Sequence, residues 1–512
     1  MLLTATGGAS FSVSLSDERA TARLAIDIAC AIEPGDLVTL SGDLGAGKTT
    51  FARAFIRYLG GDDAIEVPSP TFTLVQSYEL ARFPLVHADF YRLSGAAELA
   101  ELGFDDLPED AVVLLEWPDR AAGFLPPDRL DITLTVAPQL GADVRNARIV
   151  GYGAFAPRAE RIAQVRAFLD QAGFGEARRV RLQGDASTRI FERLTLDGQT
   201  TILMNSPRRP DGPPLRDGKP YSAIAHLAED VTPFVAIAAG LRDRGFSAPA
   251  ILHADLESGL LMMEDLGEER VVAGEPPAPI EERYLAAVDL LAALHGQTLP
   301  EVLPAAPDRT CRLPYYDMEA LLIEAGLLLD WYLARAKAAA PPVARESFLA
   351  LWREALAPAV GMAPTWVLRD YHSPNLLWLP QRDGIARIGL LDFQDAVLGP
   401  PAYDVASLLQ DARVDVPEAL EMALLGRYAR ARRSADPRFD MVSFTRLYAT
   451  LAAQRATKIL GIFTRLDRRD GKPQYLRHMP RLWTYLQRSL QHPALAELKA
   501  WYEVNVPAPG GL

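Results

Sequence analysis

The amino-acid sequence predicts an α/β domain followed by an α+β region, in which a small sheet-rich lobe precedes a larger helical lobe. Three observations support this fold class. Residues 1–150 alternate short apolar runs with helical stretches, residues 178–266 are dominated by strand-like segments, and helical patterns prevail from about residue 280 onward. Because 512 residues exceed what one hydrophobic core ordinarily holds, at least two domains are expected.

The predicted domain limits follow from a change of pattern near residue 155. The segment Gly151–Pro157 ends the α/β pattern, and an amphipathic helix is predicted over Arg158–Gly173. We therefore assign residues 1–150 to the first domain and 151–164 to a linker. Residues 165–268 form the predicted small lobe and 269–512 the helical lobe.

Composition excludes several classes of protein. The chain has 53 basic and 66 acidic residues, and residues 1–150 account for −11 of the net charge of −13. Such acidity argues against direct, extended contact with nucleic acid. The two cysteines, Cys30 and Cys311, cannot build a disulfide framework, which fits a reducing compartment. No apolar run suggests a membrane segment, so we expect a soluble, cytoplasmic protein.

A phosphate-binding motif lies in the first domain, between a predicted strand over Leu37–Ser41 and a predicted helix over Thr50–Leu59. The pattern G-x-x-x-x-G-K-[ST] uses backbone N–H groups and a helix N-terminus to bind nucleotide phosphates. Lys48 is expected to reach the β- and γ-phosphates, and the Thr49 hydroxyl to ligate Mg²⁺. The predicted nucleotide-binding residues are Gly42, Asp43, Gly45, Ala46, Gly47, Lys48, Thr49 and Thr50.

Two carboxylates follow apolar runs farther along the first domain. Asp89 follows the predicted strand Leu85–Ala88, and Glu116 follows Val112–Leu115. An ATPase of this type needs such a residue to hold the metal or to orient water, although either carboxylate could instead be a solvated charge. The intervening segment Ser69–Thr73 is either a loop that senses the γ-phosphate or an ordinary proline-rich turn.

These motifs resemble the TsaE/YjeE-type ATPases of tRNA threonylcarbamoyladenosine biosynthesis. The resemblance covers about residues 10–145 and rests on four ordered motifs, which begin at Gly42, Ser69, His87 and Glu116. It implies ATP hydrolysis in complex with protein partners of that tRNA-modification machinery. It also implies that Glu116 supports the metal, and that Asp89 and Thr71 assist hydrolysis or switching.

A second set of motifs lies in the α+β region and follows the order found in kinases. Asn375 lies five residues after Asp370, which is the spacing of a kinase catalytic loop, and Asp392 ends the next buried strand. Asp370 is therefore predicted to accept the proton of the attacking hydroxyl, while Asn375 and Asp392 hold Mg²⁺. Upstream, a turn predicted to cover the ATP phosphates contains Gly184, Asp185, Ala186 and Ser187.

The second set resembles the aminoglycoside phosphotransferase-like kinases, which have a two-lobed protein-kinase-like fold. A plausible hinge strand for adenine contains Glu264 and Leu266. Within this group, the motifs over residues 165–500 look closest to AmgK-type anomeric sugar kinases. That resemblance implies phosphorylation of the C1 hydroxyl of N-acetylmuramate and N-acetylglucosamine by ATP and Mg²⁺ during peptidoglycan recycling.

Some assignments stay open at the level of sequence. Met204 occupies the place of the phosphate-clamping lysine of typical kinases, and Arg189 is either its substitute or a surface residue. His372 either orients the catalytic loop or touches the sugar, and Asp395 either contacts substrate or caps a turn. The acceptor could instead be an aminoglycoside, choline or homoserine. The first domain could be a nucleotide-gated module that binds a protein.

Overall fold

A computed structural model describes residues 8–93, 107–121, 123, 125–182, 189–208, 212–336, 338 and 340–511. The chain forms two compact units, Met1–Asn205 and Ser206–Leu512. The predicted domain limits at residues 150, 164 and 268 stay predictions. Within the described residues no helix is both long and apolar enough to cross a membrane. The cytoplasmic location also stays a prediction.

The first unit contains a mixed sheet, a connecting helix and a meander of three strands. Its strands are β1 (Ala9–Leu15), β2 (Leu37–Ser41), β3 (Val75–Glu79), β4 (Pro84–Asp89), β5 (Val112–Glu116), β6 (Arg129–Val136), β7 (Arg145–Tyr152), β8 (Arg178–Leu182), β9 (Ile190–Leu196) and β10 (Gln199–Asn205). Its helices are α1 (Glu18–Ala29), α2 (Lys48–Gly60) and α3 (Phe155–Gln171). The strands predicted at Leu37–Ser41, Leu85–Ala88 and Val112–Leu115 are confirmed, with ends that differ by no more than one residue.

The seven-stranded sheet has the order β1-β7-β6-β2-β5-β4-β3. Strands β6, β2, β5 and β4 run parallel, whereas the outer pairs are antiparallel. The carboxyl ends of parallel strands meet at one edge, which is where ligands bind in such sheets. Asp89 and Glu116 are register partners at that edge, and Leu40 lies opposite Glu116. The predicted α/β class is confirmed, and its topology gathers the predicted acidic residues beside the loop after β2.

Two helices next to this sheet begin at clear local signals. Helix α1 is capped by the Asp17 carboxylate, which accepts a hydrogen bond from Ala20 N at 2.8 Å. Helix α2 starts at Lys48 after Gly47, whose φ of 104° suits glycine. Phe51 and Phe55 of α2 are fully buried with the centre of the sheet. This packing fixes the phosphate-binding loop at the start of α2.

The meander β8–β10 is antiparallel, and β9 and β10 are joined by a two-residue turn at Asp197 and Gly198. Both turn residues have positive φ, 49° and 78°, which matches the right-handed twist of a tight hairpin. Arg179 of β8 lies between two acidic partners. It donates to Glu192 at 2.7 and 2.9 Å and pairs with Asp27 of α1. Helix α1, which lies next to the seven-stranded sheet, is therefore bound to the meander by a buried ion cluster.

The second unit is mainly helical, with short strands in pairs. Its helices are α4 (Tyr221–Ile224), α5 (Thr232–Arg242), α6 (Glu281–Leu294), α7 (Met318–Leu327), α8 (Leu333–Arg335), α9 (Pro342–Val360), α10 (Ala402–Leu409), α11 (Glu418–Ala435), α12 (Met441–Asp470), α13 (Met479–Ser489) and α14 (Ala496–Asn505). Its strands are β11 (Ile251–Asp255), β12 (Leu260–Glu264), β13 (Val272–Ala273), β14 (Ala278–Pro279), β15 (Val302–Ala306), β16 (Arg309–Arg312), β17 (Thr365–Val367), β18 (Leu376–Trp378), β19 (Ile388–Leu390) and β20 (Val397–Gly399).

Two small hairpin-like pairs carry the predicted kinase motifs. Strand β17 pairs with β20, and β18 pairs with β19, both antiparallel. Before β19, Gly384–Arg387 forms a 3₁₀ turn, and only Ile388–Leu390 of this segment is extended. The long helix α12 packs against α7, α10 and α13. The prediction of a helical lobe with short strands is confirmed.

Candidate active sites

The loop after β2 has the geometry of a phosphate cradle. Gly42, Gly45 and Gly47 have φ values of 142°, 79° and 104°, which side-chain-bearing residues rarely adopt. A Cβ atom on Gly42 would lie 2.3 Å from the Leu134 carbonyl oxygen, so glycine is required there by space as well as by φ. The loop leads directly into α2, whose N-terminal N–H groups favour an anion.

The Lys48 side chain folds back over this loop. Its ammonium donates to the carbonyl oxygens of Gly42 at 2.8 Å and Asp43 at 3.1 Å, and it lies 4.2 Å from the centre of the Trp117 ring. Burial lowers the pKa of Lys48, and Glu116 and Asp89 oppose that shift. The cation is thus held at the mouth of the cradle by neutral oxygens and by an aromatic face.

The carboxylate of Asp89 connects β4 to the segment before it. Thr71 Oγ1 donates to Asp89 Oδ2 at 2.9 Å, and Thr71 lies 2.6 Å from the Ser69 hydroxyl. The other carboxylate oxygen accepts from Tyr91 N at 2.9 Å. The segment that could be either a γ-phosphate sensor or a plain turn is therefore bound to a buried strand-end carboxylate.

Glu116 is almost fully buried at the end of β5, where its Oε1 lies 2.9 Å from His87 Nε2. The His87 side chain is completely buried in β4, and among the described residues its Nδ1 has no hydrogen-bond partner. Sequence reasoning quoted His87 only as part of a motif. Its alternation with Asp89 on the same strand was the signal that both side chains face one side.

A pocket brings these groups together in the first unit. Its lining residues are Asp17, Glu18, Arg19, Thr21, Leu44, Gly45, Gly47, Lys48, Thr49, Thr50, Ser69, Thr71, Asp89, Tyr91, Glu116, Trp117, Asp143 and Arg145. It therefore collects the predicted cation, hydroxyl and carboxylates on one concave surface. Trp117 has φ of 57° and was not predicted as a site residue. The lining of hydroxyl, carboxylate and ammonium groups fits a nucleotide phosphate with Mg²⁺.

Asp370 and Asn375 of the second set lie on the loop between β17 and β18. Asp404 of α10 accepts hydrogen bonds from Leu368 N at 2.6 Å and Arg369 N at 2.9 Å. Burial raises the pKa of Asp404 to about 7, against the lowering effect of those two N–H groups. The sequence predicts that Asp404 braces the catalytic loop by accepting hydrogen bonds, and these two contacts confirm that prediction. The loop that carries Asp370 is thereby held from behind by a helix.

Asp370 lies near the basic side chains of Lys458 and Arg455 and near the His372 imidazole. Burial favours its neutral form, yet the pKa of Asp370 is lowered because His372, Lys458 and Arg455 lie nearby. His372 Nε2 is 3.8 Å from Asp370 Oδ1. This environment keeps Asp370 ionised at neutral pH, which a proton acceptor requires.

The predicted metal ligands flank the paired strands β18 and β19: Asn375 ends the 3₁₀ turn before β18, and Asp392 lies just after the end of β19. Asn375 donates its amide N–H to the Asp370 carbonyl oxygen at 3.0 Å, which leaves the amide oxygen as its cation-binding atom. Leu391 N donates to Asn375 O at 3.0 Å. Because Asp392 directly follows Leu391 in the chain, this hydrogen bond holds the backbone next to Asp392 against Asn375. Asp392 has φ of 56°, and its Oδ1 accepts from Gln394 Nε2 at 3.0 Å. Oxygen ligands of this kind fit Mg²⁺, which takes its remaining ligands from phosphates and water.

The two residues predicted with open roles have defined contacts. His372 is buried, and burial lowers its pKa to about 4, so the ring is neutral at pH 7. The next residue, Ser373, donates its N–H and hydroxyl to Asp411 Oδ2 at 2.8 and 2.5 Å. Asp395 Oδ1 accepts from Ala228 N at 2.6 Å, a backbone group 167 residues away rather than one in the following turn.

The remaining predicted nucleotide contacts are less defined. Gly184, Asp185, Ala186 and Ser187 lie outside the described residues. Glu264 pairs with Arg242 at 3.1 Å and Arg382 at 2.5 Å, and its N–H donates to Ala250 O. Leu266 packs with Leu377 and Leu379. In the first unit, Met204 is buried opposite Phe191. The adenine hinge and the phosphate clamp stay predictions.

Comparison with known proteins identifies both parts of the chain. Residues 15–144 match the family described as threonylcarbamoyl adenosine biosynthesis protein TsaE, and residues 178–441 match the phosphotransferase enzyme family. The chain belongs to both families. The predicted fusion of a TsaE-type domain with an aminoglycoside phosphotransferase-like domain is confirmed. Both families use ATP with Mg²⁺, so the protein is an ATP-dependent phosphotransferase joined to an ATPase domain.

Individual relatives cover each part. The N-acetylmuramate/N-acetylglucosamine kinase of Caulobacter vibrioides is 43% identical over 361 residues, which span 68% of this chain and 97% of that protein. The TsaE protein of Rickettsia conorii is 39% identical over 121 residues, which span 24% of this chain and 69% of that protein.

Solved structures match the same two parts. Bacillus subtilis YdiB is 30% identical, with 31% of this chain and 97% of that chain covered at a TM-score of 0.26. ADP-bound aminoglycoside phosphotransferase APH(2'')-Ib is 16% identical, with 67% and 99% covered at a TM-score of 0.38.

Proposed function

We propose that the phosphotransferase domain transfers the γ-phosphoryl group of ATP to the C1 hydroxyl of N-acetylmuramate and N-acetylglucosamine, in peptidoglycan recycling. The observation that carries this proposal is the loop at Asp370, held by Asp404 and adjacent to Asn375 and Asp392. The choice of sugar is supported by the 43% identity with the Caulobacter kinase of that name.

In this reaction Asp370 takes the proton of the C1 hydroxyl as that oxygen attacks the γ-phosphorus. The bond between the γ-phosphorus and the bridging oxygen of ADP breaks, so the products are the sugar 1-phosphate and ADP. Asn375 and Asp392 would hold Mg²⁺, which neutralises charge on the transferring phosphoryl group when it is bound. His372, buried and neutral, supports the loop from the side of Asp370.

The full chain with Lys48→Ala tests this proposal, because that change removes the phosphate-binding ammonium of the other nucleotide site. With ATP and either sugar, the protein should form a phosphate that is stable to alkali and labile to acid. Asp370→Asn in the same background is the matched control and should form none. If neither sugar is phosphorylated while an aminoglycoside, choline or homoserine is, the assigned substrate class is wrong.

We also propose that the TsaE domain binds and hydrolyses ATP in support of tRNA threonylcarbamoyladenosine modification, through protein partners rather than direct RNA contact. The contacts of Lys48, Asp89 and Thr71 at one sheet edge support this proposal. So does the excess of acidic residues in residues 1–150.

The test compares two variants for binding to those partners. Lys48→Ala should lose ATP-dependent binding, whereas Glu116→Ala should bind ATP and fail to hydrolyse it. If Glu116→Ala supports tRNA modification as the natural chain does, nucleotide binding rather than hydrolysis is the working step. In that case the domain is a nucleotide-gated module.

A further inference from the structure

We propose that Arg369 is a positioning residue of the phosphotransferase site, whose guanidinium ties the catalytic loop to the buried Glu324 and to the loop that follows the metal-binding Asp392. This inference rests on the proposed roles of Asp370 and Asp392. It concerns how those residues are held rather than which substrate they meet.

The backbone of Arg369 adopts a conformation that an arginine rarely takes. Its φ is 66°, in the left-handed region where glycine is favoured, and the residue is 2% exposed. Its N–H donates to Asp404 and its carbonyl accepts from Ser407 Oγ at 3.2 Å. Such a conformation costs on the order of a factor of ten in population, so the surrounding contacts must compensate for it.

The side chain supplies those contacts. One guanidinium nitrogen forms an ion pair with Glu324 of α7. The other donates to Ala225 O at 2.9 Å and lies 3.4 Å from the carbonyl oxygens of His226 and Asp395. Three separate segments are thereby joined at one group, and one of them is the loop that follows Asp392.

Glu324 is itself built into the core rather than exposed to solvent. It is completely buried, and it accepts hydrogen bonds from Lys458 Nζ at 2.7 Å, from Gln454 Nε2 at 3.3 Å and from the Tyr316 hydroxyl. One carboxylate thus serves two cations, Arg369 and Lys458. A buried carboxylate needs such partners, and their loss would leave an uncompensated charge behind the catalytic loop.

A planar guanidinium is needed for this arrangement, because it must serve a carboxylate and several carbonyl oxygens at once. A lysine could keep the charge beside Glu324 but not the fork of hydrogen bonds. A glycine could adopt the backbone conformation but would remove one of the two cations beside Glu324 and the guanidinium donor of the Ala225 and Asp395 carbonyl oxygens. Comparing arginine, lysine and glycine at position 369 therefore distinguishes the effects of the backbone conformation, the positive charge and the hydrogen-bond geometry of the side chain.

The test uses the full chain in the Lys48→Ala background with Arg369→Gly and Arg369→Lys. Because small displacements of reacting groups cost about 10²-fold in rate, kcat for phosphoryl transfer should fall by roughly that factor in Arg369→Gly. The KM for the acceptor should change by less than about threefold, since no acceptor contact is removed. The kcat of Arg369→Lys should lie between that of Arg369→Gly and that of the protein with Arg369 intact. The Mg²⁺ concentration needed for half-maximal ADP binding should rise several-fold.

Arg488→Met is the matched control, because Arg488 pairs with the buried Glu421 at α11, away from the catalytic loop. It should lower stability without changing kcat or the Mg²⁺ requirement. Glu324→Gln keeps the shape of the partner and serves if Arg369→Gly does not fold.

The inference is overturned if the Arg369 and Glu324 variants lose stability as Arg488→Met does while kcat and the Mg²⁺ requirement stay unchanged. The two proposals fail separately. If the Lys48→Ala protein phosphorylates neither sugar, the proposed substrate is wrong, whereas the Mg²⁺ dependence of ADP binding still tests Arg369.

Discussion

The two phosphate-handling sites are built in opposite ways. In the first, one parallel sheet edge delivers the loop after β2, Asp89 and Glu116, and Lys48 is held by carbonyls of its own loop. In the second, Asp370 and Asp392 lie on loops between short strands, and the Asp370 loop is held by Asp404 of the distant helix α10. The geometry of the first site is set by a short segment of the chain and by the strand order of one sheet. The second depends on long-range packing.

Asp370→Asn should have the largest effect, and it tests whether the two sites act independently. Removal of a proton acceptor that acts in the transition state should lower sugar phosphorylation by about 10³-fold or more. ATP hydrolysis by the TsaE domain, measured with its partners, should stay unchanged. Loss of both activities would mean that the two sites are not independent.

Arg179→Met should produce the largest effect on stability in the first unit. It removes a buried cation that serves both Asp27 and Glu192, and breaking such a cluster costs about 3–5 kcal/mol. Thermal or denaturant unfolding measures the change. The neighbouring Arg178→Met is the control, because Arg178 and its partner Asp63 are 73% and 83% exposed and should contribute almost nothing.

Glu116→Gln tests the first site by itself. It removes the charge at the end of β5 while it keeps a hydrogen-bond partner for His87, so ATP should still bind. Hydrolysis by the TsaE domain should fall by about 10²-fold, and sugar phosphorylation should be unaffected. Normal hydrolysis in this variant would move the metal-supporting role to Asp89.

A smaller effect on folding stability is expected from protonation of His295 at low pH. His295 is the C-terminal cap of α6, and its Nδ1 lies 2.8 Å from the Tyr428 hydroxyl. Burial lowers its pKa to about 3, so the folded state excludes the proton that the unfolded chain binds. Stability from this group is complete above about pH 6.5 and is lost as pH falls toward 3, about 2 kcal/mol by pH 5. His295→Asn should flatten the acid side of the stability curve, and the exposed His253→Asn should not.

Much of the first site could be predicted from the sequence because its determinants are local. The motif from Gly42 to Thr49 lies between a strand and a helix, and Asp89 and Glu116 directly follow apolar runs. Local spacing and the rule that parallel strands share a carboxyl edge are sufficient to place these groups together. His87 and Trp117 were not predicted as separate contributors. The alternation of His87 with Asp89 places both on one face, but no spacing in the sequence brings Trp117 over Lys48.

The second site shows where that reasoning ends. The order of Asp370, Asn375 and Asp392 is readable from the sequence, and so is the family that carries it. The support of the catalytic loop by Asp404 could also be predicted. The contact of Glu324 with Arg369 could not, since 45 residues separate the partners. Likewise, nothing in the sequence joins Arg179 to Asp27 across 152 residues.

The amino-acid sequence by itself therefore determined the two families, the phosphate-binding loop and the order of the reacting groups, because each depends on neighbours in the chain. Only the tertiary structure decided which buried charges neutralise one another and which backbone groups hold the catalytic loop. Those choices are made by packing, where a carboxylate taken out of water must find its cation wherever the fold places one.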